Sequence, residues 1–209
     1  MNVAAAAAQT SKRLLDTWFK GFVPGQPLTP DRLAFWYEGS KEIDDMLRDQ
    51  FGNDAERALA DGEFRKQLKG SQEGTVALTL LLDQIPRNIF RGTPRPFEEF
   101  DPLALETVKE ALAKNTCAKM HPVIKHFLLL PLEHSENVED QGTCVAEFTK
   151  FHEEVEPMYK ELFKNYLDFA KAHEAVIKKF GRFPHRNEVL GRVSTEAERI
   201  HLETGGDRW

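Results

Sequence analysis

The stretch "LLLDQIPRNIFRGTP", residues 80–94, joins a strongly apolar run directly to a carboxylate, a proline and two arginines. The apolar residues in it and just before it follow the i, i+3, i+4, i+7 spacing of one helix face: Leu78, Leu81, Leu82, Ile85 and Ile89. Pro86 has no N–H to donate to the carbonyl of Leu82, and its ring presses against that carbonyl. The stretch therefore predicts an apolar α-helix with a kink, followed at once by charged side chains.

Helical spacing recurs through most of the chain, and no convincing strand pattern of alternating apolar and polar residues emerges. Helix start signals agree with this. Asp101 and Pro102 open one helical segment, and Ser40 precedes another. Thr195 and Glu198 have the spacing of a capping box. The sequence predicts an all-α fold, an array of about eight antiparallel helices joined by short loops.

Length and composition limit the domain organisation. The chain has 209 residues, of which 41% are apolar and 30% are charged, as in an ordered globular protein. Because domains commonly hold ~100–200 residues, we expect one helical domain over residues 1–209. Residues 1–10 contain an alanine run but no basic region followed by a longer apolar one, so we expect a frayed lead-in rather than a secretory signal.

Charge and cysteine usage exclude several function classes. The net charge of −6 argues against a nucleic-acid partner, because a phosphate backbone needs a cationic face. Trp18 and Trp36 are therefore interpreted as core or groove aromatics. Cys117 and Cys144 have no metal-ligand spacing, which favours two reduced thiols. No apolar run approaches the ~20 residues of a membrane span. We expect a soluble, cytoplasmic protein with no membrane partner and no cofactor.

A first motif with chemical potential follows the kink. On a helix, Asp83, Arg87 and Arg91 lie on one stripe, four residues apart. Paired charges beside a kinked helix suit the anchoring of a loop or the binding of a ligand. The structural alternative is that Asp83 pairs with Arg87 while Arg91 caps carbonyls of the next loop.

A second motif repeats this design at residues 126–137, "HFLLLPLEHSEN". An apolar helix meets Pro131 and is followed by Glu133, His134, Ser135 and Glu136. A carboxylate can orient an imidazole, which suits acid–base chemistry or a metal site. Because no HExxH or other fixed ligand spacing is present, we predict no metal ligands. A capped loop with a hydrogen-bonded histidine is the alternative.

A third motif lies at residues 180–192, "FGRFPHRNEVLGR". It places basic and amide side chains in one short segment: Arg182, His185, Arg186, Asn187 and Arg192. Guanidinium groups with imidazoles suit a phosphate or a carboxylate, which they bind through paired hydrogen bonds. The same residues would alternatively satisfy helix carbonyls after Gly181.

These segments together resemble the bacterial-type domain-of-unknown-function family 924, placed in the tetratricopeptide-like helical superfamily. The resemblance is carried by "LDTWF" (15–19), "IDDMLRDQFG" (43–52), "LLLDQIPRNIFRGTPRPF" (80–97), "FDPLALE" (100–106), "LLLPLEHSEN" (128–137) and "FGRFPHRN" (180–187). It implies an all-helical array with tetratricopeptide-like superhelical packing, and no established activity. The family-like polar positions are Asp83, Gln84, Arg87, Asn88, Arg91, Glu133, His134, Ser135, Glu136, Gln141, His173, Arg182, His185, Arg186 and Asn187.

Our leading hypothesis is a polar pocket, shared by the three motifs, that binds a small anionic ligand. The ligand contacts would come from Arg87, Asn88, Arg91, Gln141, His173, Arg182, Arg186 and Asn187. His134 and His185 are the candidate proton-transfer groups, oriented by Glu133 or Asp83. Because an acidic motif between two basic ones avoids unpaired buried charge, we expect the three motifs to meet. Whether the protein is an enzyme stays open.

Two alternatives belong to other function classes. One is a tetratricopeptide-like scaffold that binds a peptide or protein partner in a helical groove, with the motifs as structural contacts. The other is a metal-dependent hydrolase with a carboxylate–histidine site, which needs Glu133, His134, Glu136 or His185 around one point.

Overall fold

The computed structural model describes residues 2–207, and the regular structure within that range is helical, without strands. The α-helices are α1 (Val3–Trp18), α2 (Pro30–Tyr37), α3 (Lys41–Ala60), α4 (Gly62–Leu68), α5 (Gln72–Leu82), α6 (Gln84–Ile89), α7 (Asp101–Ala113), α8 (Pro122–Glu133), α9 (Val138–Glu154), α10 (Lys160–Phe180) and α11 (Glu196–Glu203). A π-helix spans Pro96–Phe100, and 3-10 turns span Pro157–Tyr159 and Pro184–Arg186.

The predicted all-α fold is confirmed, with more helices than the predicted number because two segments divide. Asp61 ends α3 with extended backbone angles, and its side chain accepts from the Phe64 N–H to begin α4. The apolar helix around Leu82 likewise divides, at Asp83, into α5 and α6. The tetratricopeptide-like superhelical packing stays a prediction.

Over residues 3–10 the predicted frayed lead-in is wrong, since α1 begins at Val3, and Met1 lies outside the described residues. Asn2 caps this helix by accepting from the Ala5 N–H at 2.9 Å. The alanine run has the highest intrinsic helix propensity, and Ala7 and Thr10 are buried against the rest of the fold. The alanines therefore belong to a packed helix.

The described chain divides into two compact units. The amino-terminal unit contains the described residues up to Arg91 together with Arg95–Pro131, and the carboxy-terminal unit contains Gly92–Pro94 and the described residues from Leu132 onward. Each is described by itself below. The single domain over residues 1–209 stays a prediction.

In the amino-terminal unit, α5 forms the centre of the core. All its residues from Gly74 to Leu82 are buried, and it packs against α1, α3, α4 and α7. A helix that is apolar all round is stable only when it is covered on every side. Beside it, Trp36 packs against Phe127 with ring centroids 4.9 Å apart and donates through Nε1 to the Trp18 carbonyl at 2.8 Å. These aromatics are core residues, since Trp18 and Trp36 are buried.

In the carboxy-terminal unit, α9 and α10 pack against each other along aromatic faces. Phe151 contacts Phe163 with ring centroids 6.2 Å apart, and Phe148 contacts Tyr166 at 6.4 Å. Gly181 ends α10 in the left-handed conformation, with φ of 71°, as its position after the apolar face predicts.

Long cationic side chains close the carboxyl ends of several helices. Arg32 donates to the carbonyls of Thr17 and Trp18 at the end of α1, at 3.2 and 2.9 Å. Lys160 donates to those of His152 and Glu153 near the end of α9, at 2.6 and 2.8 Å. These contacts satisfy carbonyls that have no partner inside their own helix. They also complement the negative end of the helix dipole.

None of the helices in the described range is long and apolar enough to cross a membrane.

Two helical glycines predict opposite effects of the same substitution. A Cβ at Gly74, near the start of α5, would overlap the Leu68 carbonyl oxygen, whereas one at Gly142 in α9 would meet only Glu174 Oε1, at 3.9 Å. Gly74→Ala should therefore lower the free energy of unfolding by roughly 1–3 kcal/mol. Gly142→Ala should raise it by roughly 0.5–1 kcal/mol. Denaturant midpoints of the two variants check this, and equal shifts would contradict the packing at Gly74.

Candidate functional site

The first motif lies where the apolar helix breaks. Asp83, between α5 and α6, takes φ −117° and ψ −61°, away from ideal helical values. Pro86, in the first turn of α6, has no N–H to contribute to the helix. The side chain of Asp83 is fully buried, with an exposed fraction of 0%. A carboxylate at this depth needs a cation or several donors close by.

Arg87, one turn later, supplies the cation. Its Nη1 lies 3.1 Å from Asp83 Oδ1 and donates to the Asp83 carbonyl at 2.9 Å. The same guanidinium donates to both carboxylate oxygens of Asp101, at 2.7 and 3.0 Å. Burial by itself would lower the pKa of Arg87, but the charges of Asp101 and Asp83 raise it above its usual value. The predicted Asp83–Arg87 pair is present, and Asp101 joins it.

Arg91 contacts a different helix. Its Nε and Nη2 donate to Asp44 of α3 at 2.9 and 3.0 Å, rather than to carbonyls of the following loop. Asn88 donates through Nδ2 to the Gln84 carbonyl at 3.0 Å, within α6. Arg87 and Arg91 are thus both held by carboxylates of the amino-terminal unit.

In the second motif, Gln141 closes the carboxyl end of α8. Its Nε2 donates to the carbonyls of Leu132, Glu133 and Ser135 at 3.3, 2.6 and 2.7 Å. Gln141 is completely buried, and its Oε1 has no hydrogen-bond partner among the residues described. The Gln141 amide group therefore caps α8, and its oxygen remains available as an acceptor.

Glu136 links the second motif to the third. Its Oε1 accepts from the Phe183 N–H at 2.8 Å, and Arg192 binds both carboxylate oxygens at 2.7 and 3.0 Å. Burial alone would raise the pKa of Glu136, but the hydrogen bonds from Arg192 and Phe183 bring it below its usual value. Arg186 adds a second link through Nη1, which donates to the His134 carbonyl at 3.0 Å. The second and third motifs therefore contact each other within the carboxy-terminal unit.

Arg182 and Asn187 hold the segment that leads to α11. Arg182 binds both oxygens of Glu198 at 2.6 and 2.8 Å, and this pairing lowers the pKa of Glu198 to about 2. Glu198 also completes the predicted capping box with Thr195. Asn187 donates through Nδ2 to Ser194 Oγ at 3.0 Å. Its buried Oδ1 has no partner in the described part of the chain.

The ring of Phe183 gathers three of the predicted site residues. The guanidinium carbon of Arg186 lies over this ring, 4.4 Å from its centroid. The rings of His173 and His185 each lie 5.6 Å from it, between centroids. Phe183 itself is completely buried. A cation and two imidazoles therefore surround one apolar ring.

His173 and Glu133 form a buried pair beside this ring. His173 Nδ1 lies 3.6 Å from Glu133 Oε1 and 2.9 Å from the Phe169 carbonyl. Burial, reinforced by the positive charges of His134, Arg186 and His185, lowers the pKa of His173 to about 3. His173 is thus neutral near pH 7, with Nδ1–H donating to Phe169, so its lone pair is on Nε2.

The predicted site residues fall into two groups. The carboxy-terminal unit holds Glu133, His134, Gln141, His173, Arg182, His185, Arg186 and Asn187, whereas the amino-terminal unit holds Asp83, Arg87, Asn88 and Arg91. Glu133 lies 3.6 Å from His173, and its predicted role in orienting His134 or His185 stays a prediction. A site shared with the first motif stays a prediction.

The metal alternative is not supported by any set of ligands in the described part of the chain. Among residues 2–207, no group of three or more His, Cys, Asp or Glu side chains is arranged to hold a metal ion.

Sequence reasoning missed several partners of these side chains. Asp101 was interpreted only as a helix start and Glu198 only as a cap, although each also pairs with a motif arginine. Phe183 was passed over as an apolar residue between charged ones, although it lies in the quoted motif. In the sequence, these residues were indicated only by their position inside or beside a motif.

The chain is similar to proteins without an assigned activity. A family model described as a bacterial protein of unknown function (DUF924) matches residues 14–206. The solved structure of a protein of unknown function, ATU0120 from Agrobacterium tumefaciens, is 30% identical, with a TM-score of 0.76, and the match covers 98% of this chain and 100% of that one. The comparison with curated proteins found no match. All three motifs lie inside the matched ranges.

Two arginines of the first motif predict different costs of truncation. Arg87→Ala removes the cation from a fully buried carboxylate, so we expect a loss of roughly 3 kcal/mol or more in the free energy of unfolding. Arg91→Ala removes an arginine whose side chain is 59% exposed, so we expect less than about 1 kcal/mol. Chemical denaturation of both variants measures the difference. Equal losses would contradict the structural role of the Asp83–Arg87–Asp101 network.

The buried imidazole of His173 predicts a loss of stability in acid. The unfolded chain protonates this residue below about pH 6.5, whereas the native protein resists protonation until its pKa of about 3. The unfolded state then binds more protons between these values, so stability falls as the pH falls through that window. We expect up to about 2 kcal/mol of this loss by pH 5. His173→Gln should abolish that contribution, and a native-state NMR titration of the His173 ring with a midpoint near 6.5 would contradict it.

Proposed function

Since the chain belongs to DUF924, a bacterial family of unknown function, we propose from its own side chains that its carboxy-terminal unit binds a small anion, a phosphate or a carboxylate. The proposed site comprises Arg186 and the imidazoles of His134, His173 and His185, with Glu133 beside them.

One observation carries the proposal: three nitrogen-bearing side chains are gathered around the buried ring of Phe183. Arg186 is buried, and its guanidinium lies over the ring that both imidazoles contact. A guanidinium has five donors in a planar fork that matches the oxygens of a carboxylate or phosphate. Its contacts with the His134 carbonyl and the Phe183 ring fix its orientation.

The charge balance around His173 also favours an anion. His134, Arg186 and His185 each act electrostatically to lower the pKa of His173, and Glu133 is a carboxylate beside it. An added anion would act in the opposite direction, because a negative charge a few Å away favours the protonated imidazole. Anion binding should therefore also raise the pKa of His173.

The other motif arginines support the proposal indirectly. Arg87, Arg91 and Arg182 are each held by a carboxylate through two hydrogen bonds. Such pairs are costly to break, so these arginines are poor first choices for contacting a ligand. Arg186 is included in the proposed site because its guanidinium lies over the Phe183 ring.

Proton transfer by His134 or His185 would extend the proposal from binding to catalysis. His173 Nε2 carries a lone pair, but a pKa of about 3 makes it a weak base until an anion is bound. Asp83 has its described contacts in the amino-terminal unit and is not included. The proposal is binding, in a cytoplasmic protein, with the reaction left to experiment.

The scaffold alternative has less support. It would be favoured by an aromatic-lined groove away from the motifs. In the aromatic cluster of the amino-terminal unit, Trp18, Trp36 and Phe127 are buried core side chains, although Tyr37 at its edge is exposed.

Anion titrations test the proposal. We expect inorganic phosphate or citrate to bind the full chain at millimolar or lower concentration in isothermal titration calorimetry, and to shift the ring signals of His173 and His185 in NMR spectra. Arg186→Gln should weaken binding roughly 10- to 100-fold, because it removes charged hydrogen bonds to the anion.

Arg199→Gln is the matched control. It removes the same charge from an exposed residue of the same unit, where Arg199 pairs with Glu196. If Arg186→Gln fails to fold, the proposal is still tested by the anion-induced NMR shifts of the His173 and His185 rings in the wild-type chain. The absence of such shifts with both anions, or an equal loss of affinity in the control, would refute the proposal.

A further inference from the structure

A polar cleft with a volume of about 400 Å³ lies in the amino-terminal unit, bordered by α4, the start of α5 and the end of α7. Its charged lining consists of Arg65, Lys66, Lys69, Lys114, Glu106 and Glu110. Three threonines also line it, and no aromatic side chain does. Four cations face two carboxylates here, so the lining carries a net charge of about +2 in a chain whose net charge is −6.

Arg65 gives the cleft a fixed positive charge. Its Nη1 donates to the carbonyls of Ala58 and Leu59 at the end of α3, both at 2.8 Å. Within residues 2–207, Arg65 has no carboxylate at ion-pair distance. Helix carbonyls offset only part of a full charge, since the end of a helix carries roughly half an elementary charge. Nη2 would lie 3.7 Å from a Cβ at Gly62, so the glycine leaves space beside the guanidinium.

Each lysine of the cleft forms an ion pair with a carboxylate, and Lys69 also lies 3.7 Å from a second one, Glu106. Lys69 and Lys114 both donate to Glu110, at 2.6 and 2.5 Å, and their hydrogen bonds lower the pKa of Glu110 to about 2. Each ammonium group has three donors, so these pairs leave donors available for a ligand. The side chain of Lys66 is 77% exposed and lies 3.6 Å from Glu63. Both exposed lysines, Lys66 and Lys114, can therefore turn toward an anion.

We propose that this cleft binds the phosphate group of a small, hydrophilic phosphate ester. The volume lies in the lower part of the range of small-ligand sites, roughly 300–1,000 Å³. A phosphate offers three acceptor oxygens to Arg65 and the lysines, and the threonine-lined wall suits a polar remainder. The absence of aromatic lining disfavours a nucleobase, which usually stacks on a ring.

This site is separate from the one proposed around Phe183. It lies in the other unit, it uses none of the motif residues, and either site can exist without the other. A closed network of ion pairs is the competing explanation for the cleft, and it predicts no response to phosphate esters.

The test uses the full chain, labelled with ¹⁵N, and glycerol 3-phosphate as the probe. We expect its addition to shift the backbone amide signals of Arg65, Lys66, Lys69, Lys114 and Thr116 in a saturable manner. Glycerol at the same concentration should leave these signals in place. Signals around His173 and His185 report the other site separately in the same spectra.

A pair of double variants provides the control. Lys66→Gln with Lys114→Gln removes two exposed lysines that lie three and four residues after a glutamate. Lys150→Gln with Lys178→Gln removes two exposed lysines of the carboxy-terminal unit with the same spacings. Because both pairs are exposed, the fold is expected to survive both changes.

We expect the first double variant to weaken binding in the cleft roughly tenfold, and the second to leave it unchanged. Inorganic phosphate should produce the same shifts more weakly, because it lacks the polar remainder. Three results would overturn the proposal: no saturable shifts in the cleft, shifts confined to other regions, or equal losses in the two double variants.

Discussion

The carbonyl oxygens at the carboxyl ends of helices impose the constraint on which much of this structure depends. A chain that folds into many short helices has many such carbonyls, and each needs a donor from outside its own helix. Here the donors are long side chains from elsewhere in the same unit. Arg32 and Arg65 close α1 and α3, Gln141 closes α8, and Lys160 closes α9. Helix ends are thereby tied to other elements, and the ties fix how those elements pack.

The same constraint explains why the arginines of the motifs are difficult to interpret. A guanidinium has five donors, so one arginine can bind a carbonyl and a carboxylate at once. Arg87 does this with the Asp83 carbonyl and Asp101, and Arg192 does it with Glu136 and the Phe183 carbonyl. A cluster of arginines that would suit an anionic ligand is therefore also what a break between helices requires. The sites proposed here use Arg186, whose guanidinium lies over the Phe183 ring, and Arg65, which donates to carbonyls at the end of α3.

The apolar helix α5 and the charged residues behind it are linked by burial. Because α5 is covered on every side, its carboxyl end is buried as well, and Asp83 lies there with no access to solvent. The chain places Arg87 one turn later, where it neutralises that carboxylate and reaches Asp101 at the start of α7. The charge that follows the apolar segment thus connects the core helix to the next helices.

The sequence by itself determined the helical class, several helix ends and the contacts between residues close in the chain. Ser40, Asp101 and the Thr195–Glu198 capping box begin helices as predicted, and Asp83 pairs with Arg87, because these interactions act within one or two turns and depend only on local spacing. Only the tertiary structure decided that Arg91 binds Asp44, 47 residues away, and that Arg192 binds Glu136, 56 residues away. It also decided that Glu133 lies beside His173 and that Arg186, His173 and His185 meet at the Phe183 ring. Such contacts depend on which helix faces meet, and a period of about 3.6 residues identifies the face of each helix but not the face opposite it.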